Sequence, residues 1–218
     1  MCTPEQWDLA FWSDSAWPTG GFALSHGLET LVEEGRVTGR ADWAMVVRLF
    51  LQETAAGEGV ALWHVLEAPP ERRPAAAAAA GRRLVAWPRS AEADAASRAQ
   101  ARRLLALARD DGAVPPPGPG PWYAGPAWGL VAGWRGWLPE AALTAFLAVQ
   151  VKEMTAAAAR LLRVDPGALY RDAAGLGPVV AAAARRARRP LSSLSGGGPW
   201  LEIATLRHAR QQMRLFRT

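Results

Sequence analysis

Cysteine and lysine are almost absent from this chain, and each shortage excludes a kind of site. Cys2 is the only cysteine among the 218 residues, so one chain cannot form an internal disulfide bond. Lys152 is the only lysine, and Glu153 follows it, where a phosphate-binding P-loop requires serine or threonine. We therefore expect that this chain does not bind a nucleotide itself.

Long apolar runs are missing as well. No run approaches the ~20 apolar residues that span a lipid bilayer. The N-terminal residues from Met1 to Glu5 lack the basic and then apolar pattern of a secretory signal. These absences predict a cytoplasmic protein without a membrane segment. Half of the residues are hydrophobic and 21% are charged, so residues 1–218 are expected to form a single domain with its own core.

Strand patterns do not occur, whereas helical patterns recur along most of the chain. No stretch of about four to eight alternating β-branched residues lies between turn signals. Between Pro139 and Arg163, by contrast, apolar residues repeat at helical spacing over about six turns. The sequence therefore predicts an all-α fold, an irregular single-domain bundle of about eight to ten helices. A flexible loop rich in proline and glycine is expected near residues 110–121.

Several helices are predicted towards the N-terminus. The residues from Thr3 to Gln6 match a capping box, which predicts a first helix that buries Trp7 and Phe11. Two further helices, separate from each other, are expected at residues 43–54 and 59–68.

The stretch of residues 17–29 is the most distinctive in the chain. Pro18 fixes its own φ angle, and Gly20 and the glycine after it readily take positive φ angles, so a tight turn of fixed shape is expected. Ser25 is a suitable N-cap for the helix that follows, predicted at residues 26–34. A rigid turn that leads into a short helix suits a docking surface rather than an active site.

The positive charge is concentrated at the C-terminus. From Arg185 onwards there are eight arginines and one acidic residue, a surplus of +7 in a chain whose net charge is +5. A basic C-terminal tail is therefore expected near residues 200–218. Its arginines recur at spacings of 3, 4 and 3 residues and would form one cationic stripe if the last helix continued to the end. These arginines are Arg207, Arg210, Arg214 and Arg217.

Two interpretations of this tail stand side by side. Its arginines would complement the dipole at the C-terminal end of a helix, at a fraction of a kcal/mol each. Alternatively, the tail binds an acidic partner, because arginine makes bidentate contacts with carboxylates, and Leu215 and Phe216 add an apolar anchor. We favour partner binding by the tail. A basic helical protein that binds nucleic acid is the alternative function.

The histidines do not form a metal-binding motif. His26, His64 and His208 are far apart in the sequence, so local chelation of zinc or nickel is unsupported. A ligand set assembled from separate regions, or across a dimer, stays open. His26 and Glu29 lie on one face of the predicted helix, but no nucleophile motif stands beside them. We predict no catalytic, cofactor-binding or metal-binding residue, and therefore a protein that is not an enzyme.

Two motifs at opposite ends of the chain resemble one known family. The stretch from Pro18 to Glu29 reads Pro-x-Gly-Gly-Phe-x-x-Ser-His-Gly-Leu-Glu, and it resembles the N-terminal signature of the urease accessory protein UreF family. The segment from Leu201 to Ala204, the pair Arg207-His208 and the end from Arg214 to Thr218 resemble the terminus of the same family. The helical middle is compatible with it, so the resemblance covers nearly the whole chain.

This resemblance implies a function, partners and a set of interacting residues. It implies a non-enzymatic scaffold, a homodimer without a cofactor, that binds the accessory protein UreD, also named UreH. The pair would recruit the GTPase UreG, present it to apo-urease for GTP-dependent nickel insertion, and influence its GTP hydrolysis. No nucleic acid or membrane is implied. The residues expected to bind partners are Pro18, Gly20, Phe22, Ser25, His26, Gly27, Glu29, Arg160, Glu202, Arg207, His208, Arg210, Arg214 and Phe216.

Overall fold

The computed structural model describes residues 2–14, 17–87, 89–113, 120–196, 199–211 and 214–216, without the side chains of Phe22 and Pro199. Within these ranges all regular structure is helical and no strand occurs, so the predicted all-α fold is confirmed. The α-helices are α1 (Pro4–Trp12), α2 (Leu28–Glu33), α3 (Arg40–Thr54), α4 (Val60–Glu67), α5 (Arg73–Val85), α6 (Ala91–Asp110), α7 (Ala124–Arg135), α8 (Pro139–Leu161), α9 (Pro166–Ala174), α10 (Gly177–Ala187) and α11 (Pro199–His208). In these same ranges, no helix combines the length and hydrophobicity needed to cross a lipid bilayer. Residues 114–119 of the loop predicted near 110–121 lie outside the described residues.

Side-chain caps fix where several helices begin. The Thr3 hydroxyl accepts from the Gln6 backbone N–H at 3.2 Å, and the Thr3 backbone N–H donates to Gln6 Oε1 at 3.0 Å, so the predicted capping box of α1 is confirmed. Ser90 caps α6 by accepting from the Ala93 backbone N–H at 3.2 Å. Asp165 caps α9 through both of its carboxylate oxygens. Each cap satisfies backbone donors that have no partner within the helix.

Helix α8 is the centre of the bundle. It packs against α2, α3, α4, α7, α9 and α10. Leu143, Leu147 and Met154 on this helix are fully buried, as its helical periodicity predicts. Because so many helices pack on α8, the polar groups along it lie between elements from both ends of the chain.

The rod formed by α3 and α4 contains a π-helical turn. Residues Ala55–Gly59 form this turn, and the backbone stays helical from Arg40 to Glu67. The prediction of two separate helices here is wrong, and the described residues form ten helical rods. The turn adds a residue to the helical repeat, and it buries Glu58 at 9% exposure. Turns of this kind are frequent at functional sites.

Helix α7 has no counterpart in the sequence-based prediction. Its glycines cost about 1 kcal/mol each in helix propensity, which hides the helical pattern. They allow close packing instead: a Cβ added at Gly125 would lie 2.5 Å from the Glu58 carbonyl oxygen, and one at Gly129 would lie 2.9 Å from Val65 Cβ. Tertiary packing of α7 against the π-helical turn and α4 therefore outweighs its weak local propensity.

The orientation of α1 differs from the prediction. Trp7 and Phe11 are 69% and 53% exposed, whereas Trp12 is buried, so the prediction that Trp7 and Phe11 are core residues is wrong. The reason is Asp8, which lies on the same helical face as Trp12 and accepts hydrogen bonds from Arg135 Nε and Trp137 Nε1, each at 2.7 Å. This polar anchor turns Asp8 and Trp12 inwards and the two other aromatic rings outwards.

Replacement of Asp8 with asparagine should make stability less dependent on pH. The hydrogen bond from Arg135 lowers the pKa of Asp8 below its ordinary value, and Trp137 adds to the effect. A carboxylate with a lowered pKa stabilises the fold above its unfolded pKa of about 3.9 and loses that contribution as the pH falls through the folded pKa. Because Asp8 is partly screened by solvent, we expect Asp8→Asn to lower the free energy of unfolding by about 1–2 kcal/mol at pH 7.

Urea unfolding followed by circular dichroism at pH 7 and at about pH 3 measures this difference. The difference in the free energy of unfolding between wild type and Asp8→Asn should be smaller at about pH 3 than at pH 7. The variant Asp110→Asn, at an exposed position, should have the stability of wild type at pH 7. An equal gap at both pH values would contradict the role given to the Asp8 carboxylate.

Candidate interaction site

The N-terminal turn is shaped by two glycines and rests on α8. Gly20 has a φ angle of +89°, as the sequence predicts, and a short 3-10 helix follows at Gly21–Ala23. A Cβ added at Gly21 would lie 1.5 Å from Glu153 Oε1, so the backbone of the turn touches the central helix. Leu24 is then buried at 4% exposure. Phe22 was also predicted to bind a partner, but its side chain lies outside the described part of the chain.

Helix α2 begins later than predicted, and Ser25 does not cap it. Its N-cap is Gly27, which has a φ angle of +83° and no side chain. The Ser25 carbonyl oxygen instead accepts from the Leu28 backbone N–H at 2.9 Å, and the Ser25 side chain is buried. A Cβ on Gly27 would lie 3.2 Å from Ala204 Cβ on α11. A glycine is therefore needed here both for the left-handed backbone and for close packing against the last helix.

His26 binds to α8 and does not share a helical face with Glu29, as had been predicted. It lies before α2 and has a φ angle of +53°, the only positive value at a described non-glycine residue. His26 Nε2 lies 3.0 Å from Glu153 Oε2, and its ring stacks at 4.5 Å on Phe50. Glu153 is buried and also accepts from Gln100 Nε2 at 3.0 Å. These contacts hold a strained backbone in place, which is a feature of binding sites.

Glu29 joins the two ends of the chain. Its carboxylate is buried at 7% exposure. Glu29 Oε1 accepts from the Leu215 backbone N–H at 2.7 Å, and Oε2 accepts from the Phe216 backbone N–H at 3.2 Å. The same Oε2 lies 2.9 Å from His208 Nε2. The two motifs found at opposite ends of the sequence are therefore in direct contact.

His208 links a second carboxylate to this contact. The ring is fully buried, and its Nδ1 lies 2.8 Å from Glu92 Oε2 on α6. Each ring nitrogen of His208 therefore lies within hydrogen-bond distance of a different carboxylate, Nε2 beside Glu29 and Nδ1 beside Glu92. We refer to Glu29, Glu92, His208, Leu215 and Phe216 together as the Glu29 junction.

The arginines of the tail do not form one helical stripe. The stripe was expected only if the last helix continued, and α11 ends at His208, so that condition is not met. Arg207 pairs with Glu34 at 3.0 Å and Arg214 with Glu92 at 2.8 Å, both partly exposed. Arg210 is exposed, and Arg217 lies outside the described residues. Exposed ion pairs are worth about 0–1 kcal/mol, so these arginines exchange partners at little cost.

Phe216 is packed inside the protein. It is 4% exposed, and the guanidinium carbon of Arg160 on α8 lies 4.5 Å from the centre of its ring. This contact accounts for the position of Arg160 beside the tail. Leu215 is 68% exposed, so the apolar anchor predicted at the tail is reduced to one exposed side chain.

A cleft of about 440 Å³ opens beside the N-terminal turn. His26, Phe50, Gln100 and Glu202 are among the residues that line it. Burial raises the pKa of Glu202, while the Ser90 backbone N–H and the charge of Arg89 oppose that rise. Pro18, also among the predicted residues, precedes the turn and lies outside this lining. Within the described ranges, no three His, Cys, Asp or Glu side chains are grouped so that they could hold a metal ion.

The fold and the Glu29 junction define an all-α protein in which the two ends of the chain form one polar, partly exposed surface. The model of the UreF family matches residues 37–177. The urease accessory protein UreF of Rhizobium leguminosarum bv. viciae is 35% identical over 221 residues, which cover 96% of this chain and 95% of that protein. Those of Rhodopseudomonas palustris (strain BisB5) and Methylobacterium sp. (strain 4-46) are 32% and 30% identical, over 96% of this chain and 90% and 87% of their own lengths. The chain belongs to the UreF family of urease accessory proteins.

Proposed function

We propose that this chain is a non-enzymatic scaffold of urease maturation. It binds UreD, also named UreH, and the pair recruits the GTPase UreG and presents it to apo-urease for GTP-dependent nickel insertion. Nickel is the cargo of this process, which takes place in the cytoplasm, and the scaffold works as a homodimer. Membership of the UreF family supports the general role.

The Glu29 junction is the observation that carries the proposal. Glu29 receives three hydrogen-bonding groups from the last eleven residues, so the position of the tail depends on the N-terminal signature. A partner that contacts one motif therefore contacts a surface shaped by the other. This coupling explains why a protein with no catalytic motif carries two distinctive sequence motifs far apart in its sequence.

The exposed arginines of the tail are suited to an acidic partner. The Arg214 side chain is 43% exposed, and its ion pair with Glu92 leaves it close to the protein surface. A carboxylate-bearing partner replaces Glu92 at little cost, because exposed ion pairs contribute about 0–1 kcal/mol. In this proposal Arg214 contacts UreG directly and influences its GTP hydrolysis, as an arginine supplied in trans can do.

Arg214→Ala should abolish recruitment of UreG to the complex with UreD. The measurement is co-purification of UreG with the two purified accessory proteins, with circular dichroism to show that helix content is unchanged. Arg109→Ala, which removes an exposed arginine at the end of α6, is the matched control and should recruit normally.

Glu92→Gln separates direct contact from tail positioning. If Arg214 acts only by holding the tail on α6, Glu92→Gln and Arg214→Ala should be equally defective. Direct contact predicts that Glu92→Gln retains more recruitment than Arg214→Ala. Normal recruitment by Arg214→Ala would rule out the proposed role of this residue.

A further inference from the structure

A group of exposed arginines lies at the C-terminal end of α10 and just after it. Of the eight arginines from residue 185 onwards, Arg188 pairs with Glu140 at 3.2 Å, and the tail arginines Arg207 and Arg214 are paired as described. Arg185, Arg186 and Arg189 are exposed, and none of them forms an ion pair with a residue that the structure describes. Three exposed arginines of the C-terminal surplus are therefore grouped at the end of α10, and Arg210 is exposed on the tail.

An apolar stripe of α3 lies next to these arginines. Met45 and Leu49 are one helical turn apart and are 54% and 38% exposed. Gln52 and Ala56 continue the same face at helical spacing. A groove of about 300 Å³ runs between this face and the end of α10, and we call it the α3–α10 groove. Its lining includes Leu49, Gln52, Ala56, Arg186, Arg189 and Ser195.

The wall of the groove is fixed by the backbone. The Ser195 N–H donates to the Ala56 carbonyl oxygen at 3.2 Å, which ties the segment after α10 to the π-helical turn. The groove also adjoins the cleft beside His26, because Glu53 and Gly196 line both. The surface is therefore preformed and continuous with the candidate interaction site.

We propose that the α3–α10 groove binds an acidic amphipathic helix of a partner protein. Carboxylates of that helix pair with the guanidinium groups of Arg186 and Arg189, which accept planar, bidentate contacts. Its apolar side chains cover Met45 and Leu49. The dipole of α10 favours a cation at its C-terminal end, but it gives no reason for exposed apolar residues on the neighbouring helix.

The composition of the groove favours a protein over a nucleic acid. Met45 and Leu49 are aliphatic side chains, which offer no ring on which a base can stack. An acidic amphipathic helix suits this surface better, because its apolar stripe meets Met45 and Leu49 while its carboxylates meet Arg186 and Arg189.

Methionine-methyl NMR on the full chain tests this proposal directly. Met45 is exposed one helical turn before Leu49, which lines the groove, whereas Met154 is fully buried on α8 and serves as an internal control. The probe is a helical peptide of about 14 residues, long enough to span about 21 Å, with a leucine stripe beside a glutamate stripe. We expect it to shift the Met45 methyl signal and leave that of Met154 unchanged. The same peptide with lysine in place of glutamate, and a short DNA duplex, should leave Met45 unchanged.

Charge reversal defines the contribution of the arginines. Arg186→Glu combined with Arg189→Glu should weaken binding of the acidic peptide by about tenfold or more, which corresponds to about 1.4 kcal/mol. The matched control reverses Arg82 and Arg83, two exposed arginines of α5, and should bind as wild type does. Three results would overturn the proposal: no Met45 shift with the acidic peptide, wild-type affinity of the α10 variant, or a larger Met45 shift with DNA.

The same variants should then be tested against purified UreD, UreG and apo-urease, one at a time. If wild type binds none of these proteins, the proposed function fails, while the peptide experiment still decides whether the groove binds an acidic helix. If wild type binds them and the α10 variant loses one, that protein supplies the helix.

Discussion

Glu58→Ala should lower the free energy of unfolding by about 3–5 kcal/mol, the range expected when one partner of a buried ion pair is removed. Glu58 lies in the π-helical turn and accepts from Arg89 Nη1 at 3.1 Å, from the Ser97 hydroxyl at 2.5 Å and from the Gly125 backbone N–H at 2.7 Å. These three donors come from different segments, so one carboxylate ties the α3–α4 rod to the starts of α6 and α7.

The burial of Arg89 is the reason why removal of the Glu58 carboxylate should lower the free energy of unfolding so much. Its side chain is 10% exposed, and its guanidinium carbon lies 4.8 Å from the ring centres of both Trp87 and Tyr123. Among the described residues, two of its buried nitrogens, Nε and Nη2, have no hydrogen-bond partner. Without Glu58, the guanidinium would be buried with no carboxylate bonded to it, at a cost that the two aromatic rings offset only in part.

Urea unfolding of five variants tests this interpretation. Glu58→Gln keeps an acceptor for Ser97 and Gly125 and should cost less than Glu58→Ala. In Arg89→Leu, Glu58→Ala should be much less harmful, since no buried cation remains to be left unpaired. Glu71→Ala, at an exposed position before α5, should change the free energy by less than about 0.5 kcal/mol. The role of Glu58 would be refuted if Glu58→Ala were as mild as Glu71→Ala.

Glu29→Ala should release the tail and reduce binding of UreD by about tenfold or more. It removes the acceptor of two backbone N–H groups and of one buried imidazole nitrogen. Each group left unsatisfied costs about 1–3 kcal/mol, so the docked tail should no longer be the stable state. The rest of the bundle does not depend on this carboxylate, and its helix content should be retained.

Hydrogen exchange of the C-terminal peptide is the most direct readout, since the Leu215 and Phe216 amides lose their acceptor. Binding of UreD, measured by calorimetry, should fall with the loss of protection. Glu34→Ala is the matched control, because Glu34 lies just after the same helix and its loss removes only partly exposed ion pairs, with Arg36 and Arg207. A Glu29→Ala protein whose tail amides stay protected would contradict this account of the junction.

The sequence predicted the fold best where local signals were strong. The periodicity of α8 and the capping box at Thr3 depend on residues within a few turns of each other, and both predictions are confirmed. The sequence did not predict helix α7, because its glycines lower the helical signal. These glycines instead allow α7 to pack closely against α4. Trp7 and Phe11 have the spacing of core residues, but the long-range bond of Asp8 to Arg135 sets the orientation of α1.

For the candidate site, the sequence showed the two terminal motifs but not the residues of this chain that contact them. His26, Glu29 and His208 belong to the two terminal motifs. Glu153 lies 127 residues from His26, and Glu92 lies 116 residues from His208, so no local pattern connects them. Glu92 follows a helix cap and looks like an ordinary acidic residue of a first turn. Only the packing of α11 beside α2 and α6 shows that Glu92 also contacts His208.

The π-helical turn fixes the register between the two halves of the α3–α4 rod. Each residue of an α-helix advances the side-chain direction by about 100°. The π-helical turn accommodates one extra residue, so loss of a residue within it would leave a regular α-helix, whereas loss of a residue elsewhere in the rod would turn Trp63 and Leu66 away from the helices they now pack against. Each half of the rod should therefore tolerate a substitution more readily than an insertion or a deletion, which would misalign half of the bundle.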